Sequence, residues 1–455
     1  QVSLPGMDKA YKTRKRGAAI SPPTLPTLLL LVLALACTAG AVRVDNAVDS
    51  NSGAWPDPPP LGRDRLSDFA MEPGYTNLNH GSYGATPRCV LEQQKQWLDE
   101  IERHTELWLR WQVYPQLLKV REVLSLYLGC ANPSEIVMVP NASTGINALL
   151  RSLAYTYLAP VGQSPKGAPP GIIYFSVAYQ MVKNTLLHIS KYYAIPLHEV
   201  AVTFPTSHAD IVAAFEAALA ASPRVGVAVF SHITSTPSFI MPVVQLAEVC
   251  RRHGILVVVD GAHAPGQIPL SLPSLGVDFY VGNGHKWLYS PKGTAFLWVR
   301  SDLQHLIYPT TISEEGQGFT PFEMEFSWEG TNDYSRVFSL PRALEYRKSL
   351  GEARIMEYMH TLACSGGRLL ARMWRTRVLV PDDNMVGAMV NVVVPTANGT
   401  VANAIGNALL KKHNLWVPVF AVGEVFVARV SAQIYNDMSD FEMLGRYVLD
   451  IIAGL

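Results

Sequence analysis

The segment Ile255-Leu256-Val257-Val258-Val259-Asp260 decides the fold, because five apolar residues, four of them β-branched, lead directly into a carboxylate. A short apolar run of this composition predicts a buried strand. Open α/β sheets bind ligands outside the carboxyl ends of their strands, so Asp260 stands where such a sheet places its chemistry. The alternative for an isolated Asp at this position is a helix cap.

Similar apolar runs occur on both sides of this segment, separated by stretches with helical periodicity. The other predicted strands of this region are Ile172–Phe175, Val225–Phe230, Phe279–Val281 and Thr294–Val299. The predicted helices are Arg88–Arg110, Tyr114–Leu128, Thr144–Leu158, Met181–Tyr193, Ala209–Ala221 and Val243–His253. Strands that alternate with helices predict βαβ units, and hence an α/β domain with a mostly parallel, doubly wound sheet.

The pattern changes after about Arg342, where long helices come first and strands return later. Met385–Val394 and Glu424–Val430 are the predicted strands there, with a helix near Val401–His413 between them. We expect a smaller α+β domain at residues 342–455, a large domain at 66–341, and a leader with a Pro-rich linker at 1–65.

Length and composition limit the class of protein. The 455 residues are too many for one ordinary domain, and with 49% hydrophobic residues they are too apolar for a disordered chain or a coiled coil. The chain has 37 Lys and Arg residues and 37 Asp and Glu residues. Because there is no surplus of basic residues, the composition does not predict a nucleic acid or an anionic membrane as partner.

The first fifty residues resemble a targeting segment. A basic cluster at 9–16 precedes an apolar run, Leu28–Val42, that is shorter than the ~20 residues of a bilayer-spanning helix. With the small residues Ala39-Gly40-Ala41, it predicts a secretory signal peptide or a membrane anchor, so that only residues 28–42 contact a membrane. An organelle transit sequence and a cytoplasmic location stay open as alternatives.

Two sequons complicate the secretory interpretation. They are Asn141-Ala142-Ser143 and Asn398-Gly399-Thr400, and the first falls within a predicted anion site. A glycan on Asn141 would block that site. Either Asn141 is buried before modification, or the catalytic domain never enters the secretory lumen.

The cysteines predict neither a metal site nor a defined disulfide pattern. The five are Cys37, Cys89, Cys130, Cys250 and Cys364, and none of their spacings matches a zinc motif. We therefore expect no bound metal.

A lysine forms the second half of the predicted chemistry. Gly284-His285-Lys286-Trp287 follows the strand Phe279–Val281 and sets Lys286 in an apolar context that suits a surface lysine poorly. A buried lysine and a carboxylate at neighbouring strand ends suit pyridoxal phosphate. The amine forms a Schiff base with the cofactor aldehyde, and the carboxylate of Asp260 keeps the pyridine nitrogen protonated.

Two further segments fit the phosphate and the ring of that cofactor. Asn141–Gly145 leads into a helix, whose free N–H groups together with Ser143 and Thr144 predict an anion site, although an ordinary helix cap is the alternative. Tyr179 follows the strand Ile172–Phe175, where it either stacks on the pyridine ring or belongs to the core.

These motifs resemble the aminotransferase class V family of pyridoxal phosphate enzymes, specifically its isopenicillin N epimerase-like and cysteine desulfhydrase-like branch. The resemblance extends from about residue 66 to the C-terminus. It rests on six segments in order: Leu78–Gly84, Val139–Thr144, Asp260–Gly266, Gly284–Trp287, Phe326–Asp333 and Ala428–Asn436. The implied fold is that of pyridoxal phosphate fold type I.

The resemblance also implies residue roles. Lys286 is the Schiff-base lysine that forms the internal aldimine, and Asp260 is its pyridinium partner. The other implied cofactor contacts are the phosphate-binding Ser143, Thr144, His285 and Asn283 (where relatives often have Ser), the stacking Tyr179, and His263 with Thr234 or Ser235 near the ring hydroxyl.

For the substrate, the resemblance implies that Arg429 binds the α-carboxylate of a small amino acid and that Asn79 and His80 also contact it. Thr331 is expected to reach the cofactor of a partner subunit, which implies a homodimer.

The cofactor leaves several reactions open. Cysteine desulfurases of the family need a mobile Cys on a loop roughly thirty residues before the carboxylate-binding Arg, and residues 381–428 contain none. β-Elimination, epimerisation and transamination remain, and the desulfhydrase-like resemblance favours a carbon–sulfur lyase acting on cysteine or a cysteine conjugate. A different class, a catalytically idle secreted or membrane-tethered binding protein, is disfavoured because Asp260, Lys286 and Arg429 are all present.

Overall fold

The structure is a computed structural model that describes residues 59–159, 169–222, 224–314 and 316–454. The predicted leader, with its apolar run at 28–42, lies outside these residues. Among the helices within the described ranges, none combines the length and apolarity that crossing a bilayer demands.

Seven strands form the central sheet in the spatial order β1-β7-β6-β5-β4-β2-β3. Their bounds are β1 Ile136–Val139, β2 Gly171–Phe175, β3 Leu197–Val200, β4 Val225–Ser231, β5 Leu256–Asp260, β6 Phe279–Asn283 and β7 Ala295–Val299. Five strands that are neighbours in space, β3, β2, β4, β5 and β6, pair in parallel, whereas β7 is antiparallel to both β6 and β1. The mostly parallel sheet predicted from the sequence is confirmed.

Two hydrophobic clusters sandwich this sheet because successive side chains of a strand point to opposite faces. Val227, Val229 and Val258 belong to one cluster, while Phe230 and Val257 belong to the other. Helices cover both faces, as expected for a doubly wound sheet. The helices before residue 300 are His80–Tyr83, Arg88–Arg103, Thr105–Leu107, Val113–Tyr127, Ala142–Leu153, Gln180–Tyr193, His208–Ala221, Val243–Arg252 and Gly284–Trp287.

Some boundaries differ from the sequence-based prediction. The first long helix ends at Arg103 rather than Arg110, and Trp108–Gln112 instead forms a π-helical turn. The strands β1 and β3 were not predicted, because both are four-residue strands at the edges of the sheet. In β3 only Val200 is fully buried, so a clear apolar signal is missing.

A second, antiparallel sheet lies in the C-terminal region with the order β8-β10-β9. Its strands are β8 Met389–Val393, β9 Val419–Val422 and β10 Val425–Ser431. The helices after residue 300 are Pro321–Ser327, Ser335–Phe338, Leu340–Leu350, Glu352–Trp374, Gly399–His413 and Met438–Ala453. Glu352–Trp374 and Gly399–His413 pack with this sheet, and Met438–Ala453 packs against these two helices. The predicted α+β character is therefore confirmed, whereas a domain boundary at 341/342 stays a prediction.

Candidate active site

A cavity opens at the carboxyl ends of β4, β5 and β6, where the sequence places its chemical groups. Eight of the predicted site residues line it: Ser143, Tyr179, Ser235, Asp260, His263, Asn283, His285 and Lys286. A mostly apolar cavity elsewhere, lined by Tyr114 and Tyr334 among others, contains none of the predicted site residues. The parallel strand ends thus gather side chains that are up to 143 residues apart in sequence, from Ser143 to Lys286.

Asp260 is the last residue of β5 and is buried at the floor of the cavity. Its Oδ1 accepts a hydrogen bond from the backbone N–H of Ala262 at 3.0 Å, and no helix begins there, so the helix-cap alternative does not apply. Burial raises the pKa of this carboxyl, and the Ala262 N–H and the positive charge of Lys286 oppose that shift. A cation placed in the cavity would stabilise the carboxylate form.

Lys286 lies directly opposite His263, with 3.0 Å between its Nζ and the Nε2 of the imidazole. The indole Nε1–H of Trp287 donates to His263 Nδ1 at 3.4 Å, so the proton of a neutral ring must be on Nε2. An Nε2–H can bond to the lysine only if the amine offers its lone pair. The geometry therefore favours a neutral amine facing a neutral imidazole.

The electrostatic surroundings favour the same protonation states. Burial lowers the pKa of Lys286 to about 7, an effect that Asp260 opposes and Arg429 strengthens. Burial also lowers the pKa of His263 well below its ordinary value, as do the charges of Lys286 and Arg429. An uncharged amine close to physiological pH is a nucleophile and a base.

Another part of the cavity wall is formed by the start of the helix Ala142–Leu153. The N–H of Ala142 donates to Asn283 Oδ1 at 2.9 Å, and the amide NH2 of Asn283 has no hydrogen-bond partner among the residues that the structure describes. His285 Nδ1 lies 3.0 Å from the carbonyl oxygen of Thr294, so this nitrogen carries a proton and Nε2 is the remaining ring nitrogen. Ser143 lines the cavity in the first turn of the helix.

The hydroxyl of Thr144 points elsewhere. It donates to Asn141 Oδ1 at 3.3 Å, and the same oxygen accepts from the Thr144 N–H at 2.9 Å. Asn141 thus caps the helix, as in the helix-cap alternative, and the Thr144 side chain does not line the cavity. The predicted phosphate contact of the Thr144 hydroxyl is not supported by this arrangement.

Arg429 reaches the site from β10 of the small sheet and lies behind the cavity wall formed by Ser82 and Ser235. One terminal nitrogen donates to the carbonyl and the hydroxyl oxygens of Ser235, at 3.0 and 3.1 Å. The other donates to Asn79 Oδ1 and Ser82 Oγ, at 3.0 and 2.9 Å. Its Nε–H has no partner among the described residues.

All four of these acceptors are neutral, although the guanidinium is buried. Burial lowers the pKa of Arg429 to about 10, and among the described residues no carboxylate offsets that effect. A buried cation without a counter-ion is costly and is stabilised by an anionic ligand. The site is therefore suited to a carboxylate.

The two residues predicted to contact the substrate beside Arg429, His80 and Asn79, are positioned differently from expectation. His80 is fully buried, and its ring nitrogens lie 2.9 Å from Tyr435 Oη and 2.7 Å from the backbone oxygen of Lys286, so it does not line the cavity. This arrangement does not support the predicted substrate contact, because both polar atoms of the ring have internal partners. Asn79 holds Arg429 instead of lining the cavity itself.

Thr234 is also turned away from the cavity. Its hydroxyl donates to Pro237 O at 2.6 Å and accepts from Phe239 N–H at 3.0 Å, which closes the turn that follows β4. Of the two candidates for a ring-hydroxyl contact, only Ser235 lines the cavity.

Thr331 lies in a separate surface cavity together with Trp111 and Trp328. This location is outside the site of its own chain. The expectation that Thr331 serves a partner subunit stays a prediction.

Several lining residues were not predicted, among them Ser82, Met181, Ser231 and Ile233. Ser82 belongs to the recognised segment Leu78–Gly84, so that motif carried a signal for it. Met181 and Ile233 are apolar residues beside strand ends and have no distinguishing pattern in the sequence. Within the described ranges, no group of three His, Cys, Asp or Glu residues is arranged to hold a metal ion.

Comparison with known proteins identifies relatives over most of the chain. The family model described as Aminotransferase class-V matches residues 84–444. An L-cysteine desulfhydrase-like protein, lolT1, of Epichloe uncinata is 30% identical over 441 residues, covering 85% of this chain and 94% of the relative. The probable chloroplastic L-cysteine desulfhydrase of Arabidopsis thaliana is 29% identical (86% and 85%), and the isopenicillin N epimerase of Streptomyces clavuligerus is 28% identical (84% and 96%).

Solved structures share the fold at lower identity. A cysteine desulfurase from Thermococcus onnurineus NA1 superposes with a TM-score of 0.71 at 16% identity, covering 88% of this chain and all of the other. The cystine C–S lyase C-DES, in complex with its product cysteine persulfide, gives a TM-score of 0.68 at 20% identity, with 85% and 99% covered. At these identities the likeness concerns the fold.

Proposed function

The chain belongs to the aminotransferase class V family, and we propose that it is a carbon–sulfur lyase that releases a sulfur group from cysteine or a cysteine conjugate by β-elimination. As a member of this family it is a pyridoxal phosphate-dependent enzyme whose substrate is a small amino acid. The observation that carries the proposal is the Lys286 amine, 3.0 Å from the neutral His263 and near the buried carboxyl of Asp260, with its pKa lowered by burial.

The residues of the cavity fit this cofactor. Asp260 is a buried carboxyl that lacks a bonded cation among the described residues, as a partner of the ring nitrogen requires. Ser143, Asn283 and His285 would hold the phosphate at the start of a helix, where N–H groups and the helix dipole favour an anion. Tyr179, at the cavity wall, would cover one ring face.

The bound cofactor withdraws electrons from the substrate Cα, so that bonds at this atom weaken. We propose that Lys286 attaches the cofactor and that its amine takes up the α-proton at Nζ. Until that transfer, His263 holds the uncharged amine in place by donating Nε2–H to its lone pair. Expulsion of sulfur from Cβ then requires a proton for the leaving thiolate, which Lys286 can return because its pKa is lowered to about 7 by burial.

Arg429 is proposed to bind the α-carboxylate of the substrate. A bidentate pair needs two N–H groups on one side of the guanidinium, one of which is the unpaired Nε–H. The second is an N–H of Nη2, the terminal nitrogen on that side, which must give up the neutral oxygen of Asn79 or Ser82. Substrate binding is thus an exchange of neutral hydrogen bonds for an ion pair.

The cysteines support elimination over a persulfide relay. Cys364 is buried in the helix Glu352–Trp374, and burial raises the pKa of its thiol to about 12. A relay needs a thiolate that can approach the substrate. Cys130 and Cys250 are likewise buried, with the pKa of each raised to about 12 by burial.

Product analysis of the holoenzyme tests the proposal. Incubation with L-cysteine, and separately with a simple cysteine conjugate, should give sulfide or thiol together with pyruvate. Solvent deuterium at Cα without any product would identify an epimerase, the function named in relatives such as that of Streptomyces clavuligerus. Consumption of an added 2-oxo acid would identify an aminotransferase. The idle binding protein is not retained, because the chain belongs to an enzyme family.

We further propose a homodimer in which Thr331 reaches the cofactor of the partner subunit, with domains at 66–341 and 342–455. The exposure of Thr331 and of the neighbouring Trp111, 63% of whose surface is accessible, supports an interface there. Thr331→Ala should weaken cofactor retention without changing the oligomeric state measured by light scattering.

A secretory or membrane-anchored location of the protein remains a proposal. Peptide mapping of the mature N-terminus tests it.

A further inference from the structure

We propose that His80 is a positioning residue that fixes Lys286 through its backbone carbonyl, at the end of a hydrogen-bond chain that begins at Asn77. The inference rests on the proposed role of Lys286. It assigns a function to a side chain that sits beneath the cavity rather than in it.

The groups at the two ends of this series of hydrogen bonds determine the direction of every bond in it. The Lys286 carbonyl can only accept, so His80 Nε2 carries the proton that is shared over 2.7 Å. His80 Nδ1 is then an acceptor, and the hydroxyl of Tyr435 donates to it at 2.9 Å. The Tyr435 oxygen in turn accepts from the amide NH2 of Asn77 at 2.9 Å.

The imidazole is confined to this one tautomer and orientation. Burial lowers the pKa of His80 to about 3, so the ring is neutral. Trp287 and Tyr289 pack against it, with ring centroids 5.0 and 5.9 Å away. Phe69 packs edge-on against Tyr435 at 4.8 Å, which fixes the hydroxyl that selects the tautomer.

The helical turn that bears His80, His80–Tyr83, packs closely against the short helix Gly284–Trp287 that bears Lys286. A side chain at Gly84, where φ is 71°, would come within 1.9 Å of the backbone oxygen of His285. A side chain at Gly81 would meet the indole of Trp287 at 3.2 Å and the sulfur of Met389 at 2.4 Å. Only glycines permit this approach, and the approach allows the imidazole to reach the Lys286 carbonyl.

A second contact holds the next carbonyl of the same short helix. The buried Arg347 donates to the backbone oxygens of Trp287 and Gly266 and pairs with Glu352 at 2.6 Å. Two consecutive carbonyls, those of Lys286 and Trp287, are therefore held by side chains distant in sequence. Lys286 thus leaves this short helix with a fixed backbone, and its Nζ can stay 3.0 Å from His263.

The same turn also orients the arginine. Asn79 and Ser82, which flank His80 and Gly81, are the acceptors for one terminal nitrogen of Arg429. The contacts are separable, because His80 points to the lysine and the other two point to the guanidinium. Loss of the His80 contact should therefore lower kcat, whereas loss of the Ser82 hydroxyl should change KM.

The experiment compares three variants with wild type. His80→Leu removes the donor, His80→Gln retains both a donor and an acceptor, and Tyr346→Phe deletes a comparable hydroxyl that bonds Asp68 instead. Three quantities are measured: the rate constant for capture of added pyridoxal phosphate by the apoprotein, kcat and KM for L-cysteine, and the melting temperature of the apoprotein.

We expect His80→Leu to slow cofactor capture and lower kcat about tenfold, the loss of one buried hydrogen bond, with KM within twofold. His80→Gln should recover most of both, and Tyr346→Phe should resemble wild type in both. If His80→Leu fails to fold, Tyr435→Phe, which removes the hydroxyl that selects the tautomer, is expected to show a smaller loss in the same two rates.

The inference would be overturned if His80→Leu had the same rate constant for cofactor capture and the same kcat as the wild type. It would also be overturned if His80→Leu and His80→Gln lowered these two quantities equally. A change confined to the melting temperature would also overturn it, because that is a structural role alone. If the wild type captures the cofactor but releases no sulfide, only the proposed reaction fails, and the capture comparison still decides the role of His80.

Discussion

At the proposed cofactor end of the cavity, Asp260 ends one strand of the central sheet and Lys286 follows the neighbouring parallel strand. At the proposed substrate end, Arg429 comes from the antiparallel sheet near the C-terminus. The first pair is 26 residues apart and brought together by adjacent strand ends. The guanidinium is held by Asn79, Ser82 and Ser235, which lie about 200 to 350 residues away in sequence.

The two ends also differ in electrostatics. The cofactor end contains a basic and an acidic group whose pKa values burial shifts toward the neutral forms. The substrate end contains a single buried cation with neutral partners. This difference indicates that the first end is prepared for proton transfer and the second for binding one anion.

Removal of the lysine should have the largest effect. Lys286→Ala should lower sulfide release by at least about three orders of magnitude, because the proposed nucleophile and base is lost. The visible absorbance of the lysine-bound cofactor should disappear as well. Lys292→Ala, in the same loop region, is the matched control. A Lys286→Ala protein that stays yellow would contradict the assignment.

Asp260→Asn should rank second. The amide cannot stabilise a protonated ring nitrogen, so kcat should fall about a hundredfold while the cofactor remains bound. Absorbance spectra report binding, and the rate of pyruvate formation reports kcat. Asp278→Asn, which alters a buried carboxyl at the far end of β6, controls for stability. Equal kcat in wild type and Asp260→Asn would remove Asp260 from the cofactor site.

Substitution of the arginine should change binding more than chemistry. Arg429→Met should raise KM for L-cysteine about a hundredfold, as expected when a charge-assisted bidentate pair worth ~3 kcal/mol is lost. The melting temperature should change little, because a buried cation without a counter-ion is removed together with its hydrogen bonds. Arg368→Met, at an exposed ion pair with Asp383, is the control. A large fall in kcat with unchanged KM would contradict this division of roles.

The pH dependence of cofactor capture tests the cofactor end alone. With the pKa of Lys286 lowered to about 7 by burial, the amine is protonated below that pH and free above it. The capture rate should fall about tenfold per pH unit below 7 and level off above it. Stopped-flow absorbance of the apoprotein with added pyridoxal phosphate measures this profile. A midpoint near the ordinary lysine value would show that the amine is not perturbed.

The smallest effects separate two neighbours at the substrate end. Ser235→Ala removes one acceptor of Arg429 and should raise KM about threefold, which corresponds to ~0.7 kcal/mol. Thr234→Val removes a buried turn hydroxyl and should cost about 1–2 kcal/mol of unfolding free energy, with KM unchanged. Denaturant titration and steady-state kinetics measure the two. If Thr234→Val raised KM instead, its hydroxyl would belong to the site after all.

The contrast between the two ends also explains what the sequence could predict. Asp260 ends one predicted strand, and Lys286 follows another. Because the carboxyl ends of parallel strands lie at the same edge of a sheet, the topology alone predicts that these two residues lie close together. The location of His80 could not be obtained in this way. Its motif marked the segment as functional, but only three-dimensional packing shows that the ring lies under Lys286 instead of facing substrate.

Other features gave no local signal. Arg347 has the sequence context of an ordinary helical arginine, yet it is buried and binds two loop carbonyls. The edge strands β1 and β3 have only four residues each, which is too short for a periodic pattern, and in β3 only Val200 is fully buried. Long-range contacts of this kind depend on the whole fold and not on neighbours in sequence.

The neutral oxygens around Arg429 have a practical consequence for selectivity. A primary amine without a carboxylate has nothing to exchange for those hydrogen bonds, so the enzyme should discriminate against decarboxylated analogues such as cysteamine. Any small carboxylate can make the exchange. Acetate and formate buffers should therefore act as competitive inhibitors, and kinetic constants measured in them would depend on the choice of buffer.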